Sequence, residues 1–330
     1  MQFKIMVNYK SLYLLLIAVS SLLMFPLKAS SQFKCHNQFR ITNPKLKNIL
    51  INSNGIERSF LVYIPAGYKA GRQGKVVFMF HGASQDGMKM FNKTEWSQKA
   101  DTEKFLVIFP NSLCYFSLDD QAVKSRWNDG NLKLKKHVTA ADDVLFFNDM
   151  VQWVNRYRDS LAKFETTPNP TKIFISGFSN GAFFCSKLMM EAADKITAAG
   201  VVSTFMPATT ITQPAQPVPS IIIYGTNDQH LLDTLHINAP QFPSTPNSFV
   251  ATPLFNQLIT WHLQRNQLNS TFTQQATNSK YKLIYNQPNN GQANNRKYFE
   301  IQVYRGLTHI YPVNNTVNAT DIFNQFFNSY

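Results

Sequence analysis

From Arg58 onward the chain alternates short runs of β-branched and aromatic residues with longer amphipathic stretches. That is the pattern of an α/β architecture: a mostly parallel sheet with helices on both faces. Strands are predicted over Phe60–Ile64, Val76–Phe80, Leu106–Phe109, Ile173–Ser176, Gly200–Thr204, Ile221–Tyr224 and Tyr298–Tyr304. The clearest helix covers Asp142 to Leu161, where Thr139 and Asp142 have capping-box spacing and Val144, Phe147, Val151 and Val154 recur at helical intervals. Its aromatic stripe reads as a core face. Two further helices are predicted over Pro253–Leu263 and Thr320–Phe327.

Two stretches read as loops. Pro207–Pro219 holds four prolines, and Asn238–Thr252 holds three with little periodicity. Each follows a strand at its C-terminal end, where open α/β sheets build their sites. Asn286–Asn295, rich in Asn and Gln, reads as an exposed turn before the last strand. There is no internal repeat.

The N-terminus adds a processing signal to this picture. Lys4 and Lys10 precede an apolar segment from Leu12 to Met24, and Ala29-Ser30-Ser31 follows it. This is the layout of a secretory signal over residues 1–31, with an apolar core too short to span a bilayer. The mature chain, 32–330, is then expected to be one catalytic domain, outside the cytoplasm and not stably inserted in a membrane. Removing residues 1–31 takes three lysines and no acid, so the formal charge falls from +13 to +10. Basic residues are scattered apart from Lys133, Lys135, Lys136 and His137, without the aromatic interleaving of a nucleic-acid surface. Cys35, Cys114 and Cys185 lack spacing suited to zinc, and one disulfide among them is compatible with an oxidising compartment.

The candidate chemistry centres on Lys172-Ile-Phe-Ile-Ser176-Gly177-Phe178-Ser179-Asn180-Gly181-Ala182, followed by an apolar helical stretch to Ala193. Strand, sharp turn and helix around G-x-S-x-G describe an elbow that lifts a serine hydroxyl clear of a sheet, so Ser179 is the expected nucleophile. Its base must follow in the chain, and His309 stands in the loop beyond the last strand; His262 falls within a helix, where a structural role is expected. For the carboxylate that orients the base, Asp228 follows a strand and a glycine turn. Asp233 is its rival, Glu300 is disfavoured inside a strand, and a plain helix-capping role for Asp228 is the alternative. The strand Val76–Phe80 ends in His81-Gly82-Ala83-Ser84, so the backbone N–H of Ala83, or of Ser84, can join that of Asn180 in stabilising an oxyanion, with His81 shaping the turn.

These residues together resemble the polyhydroxybutyrate depolymerase and feruloyl esterase-like family of α/β-hydrolases. The likeness runs through Arg58–Pro65, Phe80-His81-Gly82, Phe109-Pro110-Asn111, Asp142-Asp143-Val144, Gly177–Gly181, Tyr224–Asp228 and Thr308–Pro312 in family order. It implies an α/β-hydrolase fold and a Ser179, Asp228 and His309 triad acting on carboxylic esters without a cofactor or metal. The chain departs from the family at Ala83, where Cys is common, at Ala182, where a second Gly is common, and at Leu307–Pro312. Tyr311, so close to the base, is expected to touch substrate, with Trp127 as a further wall and the two proline-rich loops as a roof. The expected substrates are hydroxyalkanoate oligomers or phenolic and acyl esters, soluble or amorphous rather than crystalline. A peptidase of the same fold, and a catalytically silent envelope or host-surface binding protein, are the alternatives.

Overall fold

The computed structural model describes residues 40–70, 74–162, 171–205, 213–291 and 298–330; the expected signal segment and Cys35 lie outside them. The strands are β1 (Leu46–Ser53), β2 (Ile56–Tyr63), β3 (Lys75–Phe80), β4 (Leu106–Pro110), β5 (Leu113–Ser117), β6 (Ala122–Arg126), β7 (Lys172–Phe178), β8 (Ala198–Val202), β9 (Ser220–Asn227), β10 (Thr273–Ala276), β11 (Lys280–Tyr285) and β12 (Phe299–Thr308). The helices are α1 (Gly87–Lys93), α2 (Trp96–Glu103), α3 (Asp143–Ala162), α4 (Asn180–Glu191), α5 (Gln229–Leu235), α6 (Pro246–Ala251), α7 (Pro253–Asn266) and α8 (Ala319–Phe327).

Ten of these strands form one sheet in the order β1-β2-β4-β3-β7-β8-β9-β12-β11-β10, and β5 and β6 form a separate hairpin. The sheet is mixed. From β4 through β12 its central pairings are parallel, whereas β2 on β4, β1 on β2, β11 on β12 and β10 on β11 are antiparallel. The expectation of a mostly parallel sheet therefore describes its centre and not its margins. Central strands covered on both faces are continuous apolar runs, which is why they were visible in the sequence. The edges are different: β10 is exposed throughout, and β1 between its buried end residues is made of exposed and half-buried positions. The β1–β2 turn places Asn54 and Gly55 at φ 51° and 81°, a pair of left-handed residues matching the twist of a tight hairpin.

Alternation along the central strands divides the core into two layers. Val76, Phe78 and Phe80 of β3 pack with Phe146, Phe147, Met150 and Val154 of α3 and with Phe184 and Leu188 of α4. Val77 and Met79 point the other way, into a layer with Met90 of α1, Trp96 and Ala100 of α2, and Phe323 and Phe327 of α8. The cap of α3 is Asp142, whose Oδ1 accepts from Leu145 N–H at 2.9 Å, so Thr139 does not cap the helix. The stretch Asn238–Thr252, expected as an irregular loop, contains α6. Pro246 occupies the first turn, and Thr245 accepts from Ser248 N–H at 3.2 Å, because proline and a hydroxyl cap begin a helix as readily as they break one. Cys114 is disulfide-bonded, while Cys185 is free and buried.

His262 on α7 has the structural role expected of it. It is 2% exposed and stacks on Phe299 of β12 with ring centroids 4.3 Å apart. Burial, helped by nearby Arg265, lowers its pKa to about 3. The native state therefore takes up a proton at His262 only near that value, whereas the unfolded chain does so near 6.5, so stability falls as pH drops below about 6.5. At pH 4.5 the deficit from this residue should reach about 2–3 kcal/mol. Urea unfolding between pH 7 and 4.5 should show a shallower loss in His262→Phe than in wild type; equal slopes would show that His262 is not held neutral.

Candidate active site

The parallel order of β3, β7, β8, β9 and β12 gathers the five loops that follow their C-terminal ends along one sheet edge. Ala83, Ser179, Ser203, Asp228 and His309 stand in those five loops. The sequence separates them by more than two hundred positions, and strand pairing removes that separation.

Ser179 sits between β7 and α4 with φ 53° and ψ −124°, a conformation that strains any residue with a side chain and that persists only where the surroundings enforce it. Two glycines enforce it. A Cβ on Gly177 would lie 2.5 Å from the carbonyl oxygen of Gly181, and one on Gly181 would lie 2.4 Å from the carbonyl oxygens of Phe80 and His81. Bare backbone at both positions lets α4 seat directly on the end of β3. The Ser179 N–H donates to Val202 O at 3.0 Å and holds the turn to β8.

Ser179 Oγ lies 3.0 Å from His309 Nε2. On the other side of the ring, Nδ1 is 2.9 Å from each of the Asp228 carboxylate oxygens, so its proton is shared between them and Nε2 is left to accept from the Ser179 hydroxyl. His309 arrives there through an irregularity: pairing of β12 with β9 shifts between Tyr304 and Thr308, with Gly306 at φ 74°. A bulge of this kind re-aims the side chains that follow it. Asp228 is 1% exposed. Burial pushes its carboxyl pKa up, yet hydrogen bonds from His309, Ser203 and Leu231 outweigh burial and hold it below the ordinary carboxylate range. Its Oδ1 accepts from Leu231 N–H at 3.2 Å as the cap of α5, and its Oδ2 accepts from Ser203 Oγ–H at 2.5 Å. The rival Asp233 instead accepts from Gln229 at 2.6 Å on the exposed side of α5, and Glu300 is bonded by Tyr298 and Gln302 along β12.

The backbone N–H groups of Ala83 and Asn180 have no hydrogen-bond partner among the described residues, whereas that of Ser84 donates to Ser125 O at 3.0 Å and is not available. Asn180 is also held by its side chain. Its Oδ1 accepts from Trp127 N–H at 2.7 Å, and its Nδ2 donates to Trp127 O at 3.2 Å and to Asp129 Oδ2 at 3.1 Å. Burial raises the Asp129 carboxyl pKa, offset in part by the bonds from Asn131 and Asn180. His81 accepts from Ser112 N–H at 3.1 Å and shapes the turn before Ala83.

Two sequence expectations are corrected here. Tyr311 does not face the site. It is 9% exposed in the layer with Phe323, and its hydroxyl meets Thr320 Oγ1 at 3.1 Å. Trp127 is 0% exposed, stacked on Phe184 at 5.2 Å, and donates from Nε1 to His81 O at 3.0 Å. Both aromatics are core residues beneath the site rather than walls of it. The roof expected from Asn238–Thr252 is no better supported, since Phe242 and Phe249 are buried against Phe255. Part of Pro207–Pro219 lies outside the described residues. What does stand next to the His309 ring is Phe178 at 4.9 Å and exposed His230 at 4.3 Å, with Ile310 45% exposed beside it. Ser203, His230 and the Asn180 side chain were not singled out from the sequence; a strand order would have flagged Ser203, because β8 lies between the strands bearing Ser179 and Asp228.

Such a site can move a proton from a hydroxyl to an imidazole while two amides face a developing negative charge. No family model matches the chain. Among curated proteins it is 28% identical over 182 residues to a bifunctional acetylxylan esterase/xylanase from Neocallimastix patriciarum, a match covering 54% of this chain and 22% of that protein. Among solved structures it is similar to the acetyl xylan esterase from Aspergillus awamori, with a TM-score of 0.56, 13% identity, and coverage of 86% of this chain and 99% of that one. This chain shares that fold. A feruloyl esterase module from Clostridium thermocellum, solved with sinapinate, gives a TM-score of 0.45 at 12% identity, covering 86% of each chain.

The corrected place of Tyr311 sets an expectation. Tyr311→Ala should destabilise the protein by about 3–5 kcal/mol, as large-to-small changes of buried aromatics do, and Tyr311→Phe by about 1 kcal/mol for the lost hydroxyl bond. Urea denaturation midpoints decide it, and wild-type stability in the alanine variant would return Tyr311 to the pocket.

Proposed function

We propose that the chain is a serine carboxylic-ester hydrolase on an α/β-hydrolase fold, its mature part a single catalytic domain. The observation that carries this reading is the continuous line from Ser179 Oγ through His309 at 3.0 Å to the buried Asp228 at 2.9 Å. Ser179 Oγ attacks the ester carbonyl carbon as His309 Nε2 takes its proton. The carbonyl oxygen becomes an oxyanion facing the N–H groups of Ala83 and Asn180, and the imidazolium is stabilised by Asp228. Collapse of this intermediate breaks the ester C–O bond, and His309 returns the proton to the departing alkoxide. Water, deprotonated by the same imidazole, then cleaves the acyl-enzyme and frees Ser179.

Acetyl and other short acyl or aryl esters borne by polysaccharides are the favoured substrates. The curated relative and the Aspergillus structure, both named as acetyl xylan esterases, support the acetyl part of this reading. Feruloyl and hydroxybutyrate esters belong to the same panel. The N-terminal charge and apolar pattern support export, and no helix among the described residues is long and apolar enough to cross a membrane.

A fluorophosphonate probe should label Ser179 and no other serine. Labelling elsewhere, or none in folded protein, would sink the hydrolase reading. Ser179→Ala and His309→Ala should lower kcat by roughly 10⁶-fold, and Asp228→Asn by roughly 10⁴-fold. Across the ester panel kcat/KM should peak at short acyl or aryl groups, and a steady rise from acetate to palmitate would point to an open lipase-like groove instead. N-terminal sequencing of secreted protein should begin near Gln32, and full-length protein held in a membrane would overturn export.

A further inference from the structure

Ser203 lies in the loop after β8 with its backbone at φ 61°, a left-handed conformation that disfavours a residue bearing a Cβ. Its N–H donates to Ile223 O at 2.9 Å, tying the end of β8 to β9. Its hydroxyl is buried against the reacting line: Oγ–H donates to Asp228 Oδ2 at 2.5 Å, and the oxygen stands 3.4 Å from His309 Nδ1. The carboxylate is thus held from both sides, by Leu231 N–H on Oδ1 and by Ser203 on Oδ2, with the imidazole N–H between its oxygens. Glycine would occupy this backbone position without strain, yet the chain places there a residue with a hydroxyl. That hydroxyl has a partner only because β8 runs between the nucleophile and acid strands.

We infer that Ser203 is a positioning residue for ester hydrolysis, acting through Asp228: its hydroxyl fixes the plane of the carboxylate and so the tilt of the His309 ring toward Ser179. The inference rests on the hydrolase reading above. A carboxylate freed on the Oδ2 side can turn about Cβ–Cγ and grip Nδ1–H with one oxygen, and the Nε2 lone pair then leaves the Ser179 hydroxyl. The loss should fall on proton transfer, which belongs to the chemical step, and spare substrate binding.

Two variants separate this role from a scaffolding one. Ser203→Gly removes the hydroxyl and relieves the left-handed strain, which offsets part of the lost hydrogen bond, so it should be more stable than Ser203→Ala. Ser203→Ala removes the hydroxyl and keeps the strain. Both should lower kcat on a short acyl ester by roughly 10- to 50-fold, the scale of a lost hydrogen bond to a charged group, with KM nearly unchanged. The rate of fluorophosphonate labelling at Ser179 should fall by the same factor. In proton NMR, the downfield resonance of His309 Nδ1–H should shift in both variants. Wild-type kcat and labelling rate in Ser203→Gly would overturn the inference, and so would a loss confined to Ser203→Ala that tracks its unfolding. A wild-type protein that neither hydrolyses esters nor labels would instead remove the hydrolase reading, and this inference with it.

Discussion

A single buried charge constrains the working edge of this protein. Asp228 is carried into the interior, where an unsatisfied carboxylate would be costly, and every group that satisfies it comes from a different segment. The helix that follows it supplies Leu231 N–H, the end of β8 supplies the Ser203 hydroxyl, and the bulged end of β12 supplies His309. Three loops must therefore converge on one carboxylate. Helix capping and orientation of a histidine were opposed readings of Asp228, and the residue does both at once. As cap it fixes the first turn of α5, and that turn carries His230 to the edge of the His309 ring.

A second set of buried polar bonds fixes the Ser179 side. Arg58 of β2 meets Asp143 at 2.6 Å in a fully buried ion pair, with its guanidinium 3.9 Å from the centre of the Phe146 ring. The other Asp143 oxygen accepts from Asn128 N–H at 2.7 Å, and the neighbouring Trp127 and Asp129 grip the side chain of Asn180. Position is thereby handed from β2 to the residue after Ser179 by charge-assisted and amide bonds. Buried pairs of this kind are weak sources of net stability, and breaking one by removing a single partner costs about 3–5 kcal/mol. Their use here is to fix one loop against the elbow.

How much could be read from the chain follows from which features are local. The elbow is local, since Gly177, Ser179 and Gly181 share one turn, and central strands covered on both faces announce themselves as apolar runs. Edge strands β1 and β10 carry polar positions because they face water, so their pattern resembles that of a loop. The turn Asn54-Gly55 is a local hairpin signal, and Thr245-Pro246 carries the same residues whether it breaks a chain or, as here, starts a helix. Ser203 had no local mark at all, since a serine after a strand becomes distinctive only once the order β7-β8-β9 is known. Tyr311 and Trp127 failed for a related reason. For Tyr311, nearness in sequence to the base says nothing about which side of the backbone a ring takes, and for Trp127 the chain carries no local sign of its side at all; apolar bulk took both into the core.

With those rings removed from the pocket, the surroundings of His309 have a definite character. Buried Phe178 and exposed His230 both lie against the imidazole, which is one-fifth exposed and reachable from solvent. A deep aromatic tunnel would recover binding energy by burying a long acyl chain, at about 25 cal/mol for each Å² withdrawn from water. A shallow rim would recover little of it. On the other side of Ser179 the backbone has no room to give, since Gly181 is close-packed on Phe80 and His81 and Ser179 itself is strained.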